Sequence, residues 1–162
     1  MSRAERRREK ALAEKYPASQ ACGCAVCLAY CARPGWWTVK EAIRALDAGY
    51  GKRMMLEVSP ERSFGVLSPA FKGCEGLPAL REYARRGCNF LHDSRCELHG
   101  TLFQPLECRF CHHDRVGLGP ECHRDLEEGW RTPAGRALVV RWTRLTGIWK
   151  DLALYGLAKL GG

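Results

Sequence analysis

The sequence predicts a small α+β fold, an irregular and cysteine-rich domain with short strands and a C-terminal helix. Three observations lead to it. The chain has 162 residues, which suits one compact domain with room for a helical appendage. It carries 10 cysteines, far above ordinary usage for a chain long enough to bury its own core. Sustained helical periodicity is found only after residue 131; before it, apolar runs are short and broken by Gly, Pro and Ser.

The elements follow in order. Residues 2–15 are rich in Arg, Glu, Lys and Ala, good helix formers with few large apolar groups among them. Residues 1–19 are therefore expected as a basic, solvated helix or arm. Residues 20–130 are expected to form the body. It opens with a loop over 20–37 that holds four cysteines and ends in Pro34, Gly35, Trp36 and Trp37, the two indoles serving as packing or shielding. Thr38 and Glu41 have capping-box spacing, so a helix should start there and run through Ile43 and Leu46 until Gly49 and Gly51 stop it. Residues 53–58 and 64–67 read as strands around a Ser59-Pro60-Glu61-Arg62 turn.

Residues 77–86 read as helical, with Pro78 in the first turn, and 88–98 as a hairpin around His92-Asp93-Ser94-Arg95. Residues 104–119 are expected to be irregular, and a short helix should run from Pro120 to Gly129. Residues 131–162 are expected as a C-terminal amphipathic helix. Thr132-Pro133 caps it, and Leu138, Trp142, Leu145, Trp149 and Leu152 make one apolar stripe, with Gly147 and Gly156 as candidate interruptions. That helix should pack on the body. It is also the candidate surface for a protein partner or for peripheral contact with a membrane.

Cysteine usage points to a compartment. The N-terminal MSRAERRREKALAEKYP has no apolar run and no small-residue cleavage site, so no secretory signal is expected. No stretch is apolar enough for a transmembrane helix. A reducing cytoplasm is the expected location, and there thiols serve as metal ligands or redox groups. The net charge of +8 admits an acidic partner, but no nucleic-acid recognition motif accompanies it and nucleic acid is not expected. Thiolates bound to metal add negative charge, which basic residues also offset.

Two groups of cysteines carry the chemistry. Cys22, Cys24, Cys27 and Cys31 lie within ten residues, and Gly23 lets the backbone turn between the first two. Four thiols this close can converge on one metal or cluster. The later group is Cys74, Cys88, Cys96, Cys108, Cys111 and Cys122. Cys88 and Cys96 flank the expected hairpin, and Cys108 and Cys111 form a C-x-x-C hook. Cys122 is the outsider, and the other nine are the candidate metal ligands.

The segment G-C-N-F-L-H-D-S-R-C-E-L-H, followed by Q-P-L-E-C-R-F, resembles the YkgJ-type cysteine-cluster family. The matching residues are Cys88, Phe90, Leu91, Cys96, Pro105, Cys108 and Arg109, with Cys22, Cys24, Cys27 and Cys31 matching in kind. The resemblance covers about residues 20–112 in two blocks. It departs from the family where Leu28, Ala29 and Tyr30 separate the last two early cysteines, and where Gln104 precedes the Pro. The resemblance implies chelation of zinc or iron and no particular activity.

The expected cofactor is an iron–sulfur cluster or zinc, with iron placed ahead. Among the histidines, His112-His113-Asp114 follows Cys111, and at most one of that adjacent pair suits a given ion. No acid–base catalytic pair and no phosphate loop is evident. The expected function is electron transfer, metal handling or a metal-stabilised interaction. An iron-dependent oxidative enzyme acting on a small molecule or peptide is the alternative, and a zinc-dependent nucleic-acid binder the second.

Overall fold

The structure, a computed structural model, describes residues 1–160. Among the described residues there are six α-helices and two small antiparallel hairpins, and all of these except the second helix contribute to one main core. Helix α1 (Arg3–Lys15) begins at Ser2, whose hydroxyl and the Glu5 carboxylate cap each other's backbone reciprocally. α1 is the basic helix that the sequence offers as one of its two readings, but it is anchored and not wholly solvated. Leu12 and Tyr16 at its end are buried in the common core, and Tyr16 meets Phe110 edge-on at 5.0 Å. Its charged face is also engaged. Lys15 Nζ stands 2.7 Å from both Glu121 and Asp125, and Arg8 donates to the Glu128 carbonyl at 2.9 Å.

Helix α2 (Ala25–Ala32) lies inside what the sequence suggested was a loop. Its Ala, Val and Leu residues suit a helix once Cys24 supplies the N-cap backbone. Helix α3 (Val39–Asp47) has the expected reciprocal capping box of Thr38 and Glu41. Strands β1 (Met54–Val58) and β2 (Gly65–Pro69) pair in antiparallel register, with Leu56 opposite Leu67. Ser59 Oγ accepts from Ser63 N at 3.0 Å and so holds the turn between them.

The helix expected over 77–86 is reduced to a 3-10 turn at Arg81–Arg86. Pro78 instead lies alongside Leu56, extending the β1 edge. Backbone pairing at Leu77 and Ala79 takes the place of helical bonds: Leu56 N donates to Leu77 O at 3.1 Å, and Ala79 N to Leu56 O at 2.8 Å.

Strands β3 (Leu91–His92) and β4 (Arg95–Cys96) form the second hairpin. Asp93 and Ser94 both adopt positive φ, 48° and 64°, as a tight two-residue turn demands. Helix α4 (Leu106–Phe110) occupies part of a stretch read as irregular, and its Leu106 and Phe110 are buried. Helix α5 (Gly119–Trp130) agrees with expectation.

Helix α6 (Pro133–Thr146) is capped by Thr132 as expected, but it stops well short of the chain end. Gly147 takes a left-handed φ of 78° and closes it, after which only 3-10 turns follow. The single apolar stripe is therefore divided. Leu138, Trp142 and Leu152 are buried, whereas Leu145 and Trp149 are exposed. Positions 161 and 162 of this segment lie outside the described residues.

The main core joins both ends of the chain. It runs from Leu12 through Trp37, Leu67 and Phe90 to Trp142 and Leu157. Three fully buried tryptophans each donate the indole N–H to a backbone carbonyl. Trp37 reaches Phe103 O at 2.7 Å, Trp130 reaches Trp37 O at 3.0 Å, and Trp142 reaches Gly51 O at 2.8 Å. These bonds remove the cost of burying the indole N–H. No helix among the described residues is long and apolar enough to cross a membrane.

Candidate metal centre

The frame that brings distant cysteines together is built around Glu107 and Glu41. Glu107 Oε2 accepts the Trp36 backbone N–H at 2.7 Å, and its Oε1 stands 2.9 Å from His123 Nδ1. His123 stacks on the Trp36 ring with centroids 3.7 Å apart. Glu41 pairs with Arg109 at 2.6 Å and accepts the Leu106 N–H at 3.0 Å. Arg109 also donates to the Gln104 carbonyl. These bonds fix α4 against the 33–41 segment.

Farther along the same surface, Ser19 N donates to Arg109 O at 2.8 Å and Arg115 reaches Pro17 O at 2.7 Å. The chain just before Cys22 is thereby laid beside the turn that follows α4.

The outcome is a compact donor set. Cys22, Cys24, Cys27 and His113 place one ligand atom each so that all four lie within 4.8 Å of one another. His113 Nδ1 stands 3.4 Å from Cys22 Sγ, 3.6 Å from Cys24 Sγ and 3.5 Å from Cys27 Sγ. The His113 backbone N–H also donates to Cys27 Sγ at 3.3 Å. Cys27 is buried, Cys22 is half-buried, and Cys24 and His113 are exposed. This group can hold a metal ion. Among the described residues it is the one set of three or more such side chains drawn this close.

Local electrostatics differ between Cys24 and Cys27. The Cys27 backbone N–H, at the start of α2, points at Cys24 and pulls its thiol down to about 7. Burial pushes Cys27 up to about 11, against the His113 N–H. Of these two, the exposed Cys24 is the readier to lose its proton.

Cys31, one turn beyond Cys27 on α2, is not part of this set. Cys88 precedes β3, Cys96 ends β4, and Cys108 sits mid-α4. Burial raises the thiols of Cys31, Cys88 and Cys108, with Cys88 at about 11. Cys111, at the end of α4, is raised to about 11 by burial with Glu107 beside it. Cys74 lies elsewhere, in a separate apolar cluster with Met55 and Ala70. Cys122 is fully buried in the main core.

His113 was visible in the sequence only as one of an adjacent pair. Its neighbour His112 is turned away to Asp114, with Nδ1 2.6 Å from the carboxylate. Comparison with protein-family models, with curated proteins and with solved structures finds no match.

Proposed function

We propose that the protein is a metal-stabilised interaction module whose three-cysteine, one-histidine centre holds a single zinc ion. One observation carries the reading. Tetrahedral zinc, with Zn–S near 2.3 Å and Zn–N near 2.0–2.1 Å, sets sulfur and nitrogen about 3.5–3.6 Å apart. The three S···N separations here are 3.4, 3.6 and 3.5 Å. A polynuclear cluster hands its ligands to different irons and spreads them more widely, so the spacing favours one ion. The donor set also completes a tetrahedron with protein groups alone. That leaves no open position for oxygen or substrate, and it speaks against the oxidative-enzyme alternative.

Zinc bound here joins two parts of the chain remote in sequence, the 22–27 turn and the segment after α4. Such closure contributes directly to folding free energy. The resemblance to the YkgJ-type chelating domain supports the same reading on the side of Cys22, Cys24 and Cys27, and we propose that relationship as well. Metal handling is a second reading, favoured by the exposure of Cys24 and His113. Through them a chelator or an acceptor protein reaches the ion.

Metal analysis with cobalt(II) substitution tests the proposal. Zinc-loaded protein should hold one ion at this centre. Cobalt in its place should give the intense visible bands of a tetrahedral thiolate site. A chelator separates the two readings. Structural zinc predicts faster hydrogen exchange over residues 22–32 and 111–116 on stripping, and metal handling predicts release with exchange unchanged. Octahedral cobalt spectra, or no binding, would overturn both.

A further inference from the structure

We propose that the surface where α6 ends docks on an anionic lipid membrane. Leu145 and Trp149 enter the headgroup region, and Arg144, Lys150 and Lys52 meet lipid phosphates.

The helix stop sets the placement. Gly147 closes α6 at a left-handed φ of 78°, and the chain continues in tight turns. Lys150 N donates to Gly147 O at 3.3 Å, Asp151 N to Ile148 O at 2.9 Å and Leu154 N to Asp151 O at 2.9 Å. Ile148, Leu152 and Leu157 are buried and pin this segment to the core. The residues between them are left outside. Trp149 is 50% exposed and Leu154 85%, while Leu145, in the last turn of α6, is 60% exposed. Trp36, Trp37, Trp130 and Trp142 are all buried, so Trp149 is the one indole the fold leaves at the surface.

Cations surround these apolar groups. Arg144 precedes Leu145, and Lys150 follows Trp149, with Nζ 5.8 Å from the Trp149 ring. Lys52 comes from the 3-10 turn at Tyr50–Arg53. A Cβ on the preceding Gly51 would lie 2.7 Å from Leu145 Cδ2, and Trp142 donates to Gly51 O at 2.8 Å, so this turn sits against α6. All three cations are exposed, and among the described residues none of them forms an ion pair. Arg141, one turn before Leu145, is already held by Asp47 at 2.6 Å.

The wider charge agrees. From residue 131 to 160 the chain carries Arg131, Arg136, Arg141, Arg144, Lys150 and Lys159 against the single carboxylate of Asp151. The basic residues of α1 are placed differently, because α1 lies on α5, where Lys15 meets Glu121 and Asp125. Much of the net charge of +8 therefore sits in the C-terminal segment.

The mixture of side chains selects the occupant. Cations alone would suit any polyanion, and Leu and Trp alone any apolar face. Interleaved, they match the boundary of an anionic bilayer. Phosphates there take the cations, acyl chains take Leu145, and an indole rests at headgroup depth with its N–H hydrated. A nucleic acid is held through its phosphates and leaves Leu145 and Leu154 without a partner. The core of a protein interface is depleted in lysine and other charged residues, which disfavours a protein partner.

The test uses the zinc-loaded full chain with sucrose-filled vesicles, either of phosphatidylcholine alone or of equimolar phosphatidylcholine and phosphatidylserine. The wild type should sediment with the mixed vesicles, far less with phosphatidylcholine, and come off on added salt. Brominated lipid should quench tryptophan emission, since Trp149 alone reaches the surface. Each basic side chain near an anionic surface contributes about fivefold to partition, so Arg144→Glu with Lys150→Glu should reduce it by about 25-fold or more. Trp149→Ala should reduce it by about tenfold and abolish the quenching. Arg81→Glu with Arg85→Glu makes the same charge change outside the patch and should leave most of the binding. Equal losses from the two double reversals would show attraction by net charge alone and overturn the proposal. So would a wild type that ignores the mixed vesicles, or a partition unmoved in both patch variants. Binding to a single-stranded oligonucleotide without binding to vesicles assigns the surface to nucleic acid and also overturns it. Dimerisation that Trp149→Ala abolishes, again without vesicle binding, assigns it to a second copy with the same consequence. Zinc content and far-ultraviolet circular dichroism confirm that each variant folds, and Leu145→Ser replaces Trp149→Ala if that variant does not.

Discussion

His113 engages Cys27 twice: its backbone N–H donates to Cys27 Sγ at 3.3 Å, while its ring Nδ1 stands 3.5 Å from the same sulfur. The two contacts do different work. The ring nitrogen completes a donor set. The N–H partly offsets the negative charge that a buried thiolate keeps after binding metal, and it fixes the direction of the sulfur. One residue thus ties α2 to the turn after α4 through both backbone and side chain.

The first prediction separates His113 from its neighbour. His113→Ala should lower zinc affinity by more than the roughly 10–100-fold typical of losing an outer-sphere partner. His112→Ala should stay within that range, since His112 contacts Asp114 and none of the three sulfurs. Competition with a chromophoric chelator reads both. Equal losses would show that the pair acts as a unit and not as ligand and bystander.

Gly35 is the second point of leverage. A methyl there meets Cys108 at its sulfur and, at 2.9 Å, at its backbone nitrogen. The sulfur can rotate but the backbone cannot. Gly35→Ala should therefore destabilise by about 1–3 kcal/mol, the usual cost of forcing extra volume into a packed contact. Urea unfolding should show a lower midpoint with an unchanged slope.

Parts of this architecture are legible in the sequence for physical reasons. The Thr38–Glu41 capping box, the β1–β2 hairpin and the Asp93-Ser94 turn depend on near neighbours, and local spacing reports them. The early cysteines announce a metal site because four thiols in ten residues have few other uses. What local spacing cannot show is how they are shared out. Cys27 and Cys31 are one helical turn apart on α2, yet only Cys27 faces His113, because tertiary contacts of Ser19, Arg109 and Arg115 set which side of the helix meets that turn. The 20–37 loop concealed α2 for a related reason: cysteines and a nearby Pro-Gly read as irregular chain, although Ala25–Ala32 is rich in helix formers. The C-terminal stripe misled in the opposite way. Its periodicity continues past Gly147, but the left-handed φ there ends the helix, and two members of the stripe, Leu145 within α6 and Trp149 beyond it, are exposed.

Because α6 completes the core, the C-terminal segment is not a detachable appendage. Trp142 is fully buried and donates to Gly51 O at 2.8 Å. Trp142→Ala should cost about 3–5 kcal/mol, the range for removing a large buried aromatic. Trp142→Phe should cost less, mainly the roughly 1–3 kcal/mol of a buried carbonyl left without its donor. Thermal melts of the zinc-loaded protein give the order, and a Phe variant as unstable as the Ala variant would show that the hydrogen bond, not the volume, dominates.

The attachment of α1 supplies a prediction in pH. Asp125 accepts from Lys15 Nζ at 2.7 Å and from Tyr16 Oη at 2.5 Å, and these hold its carboxyl below the ordinary value, Lys15 contributing most. Burial together with the Asp125 charge pushes Tyr16 up to about 12, so the phenol remains a donor throughout. A carboxyl whose folded pKa is depressed stabilises the fold above its unfolded pKa, about 3.9, and the contribution is lost as pH falls through the lower folded value. The α1–α5 contact should therefore loosen on acidification below about pH 4, well before the core unfolds. The pair is partly exposed, so added salt should weaken the effect. The protection of the Leu12 and Tyr16 amides, their exchange relative to the intrinsic rate at each pH, measures local opening and should fall over that window in the wild type. Asp125→Asn should show the lower protection already at neutral pH and no acid step. A step that persists in Asp125→Asn would place the titrating group elsewhere, with Glu121, the second carboxylate 2.7 Å from Lys15, the first to examine.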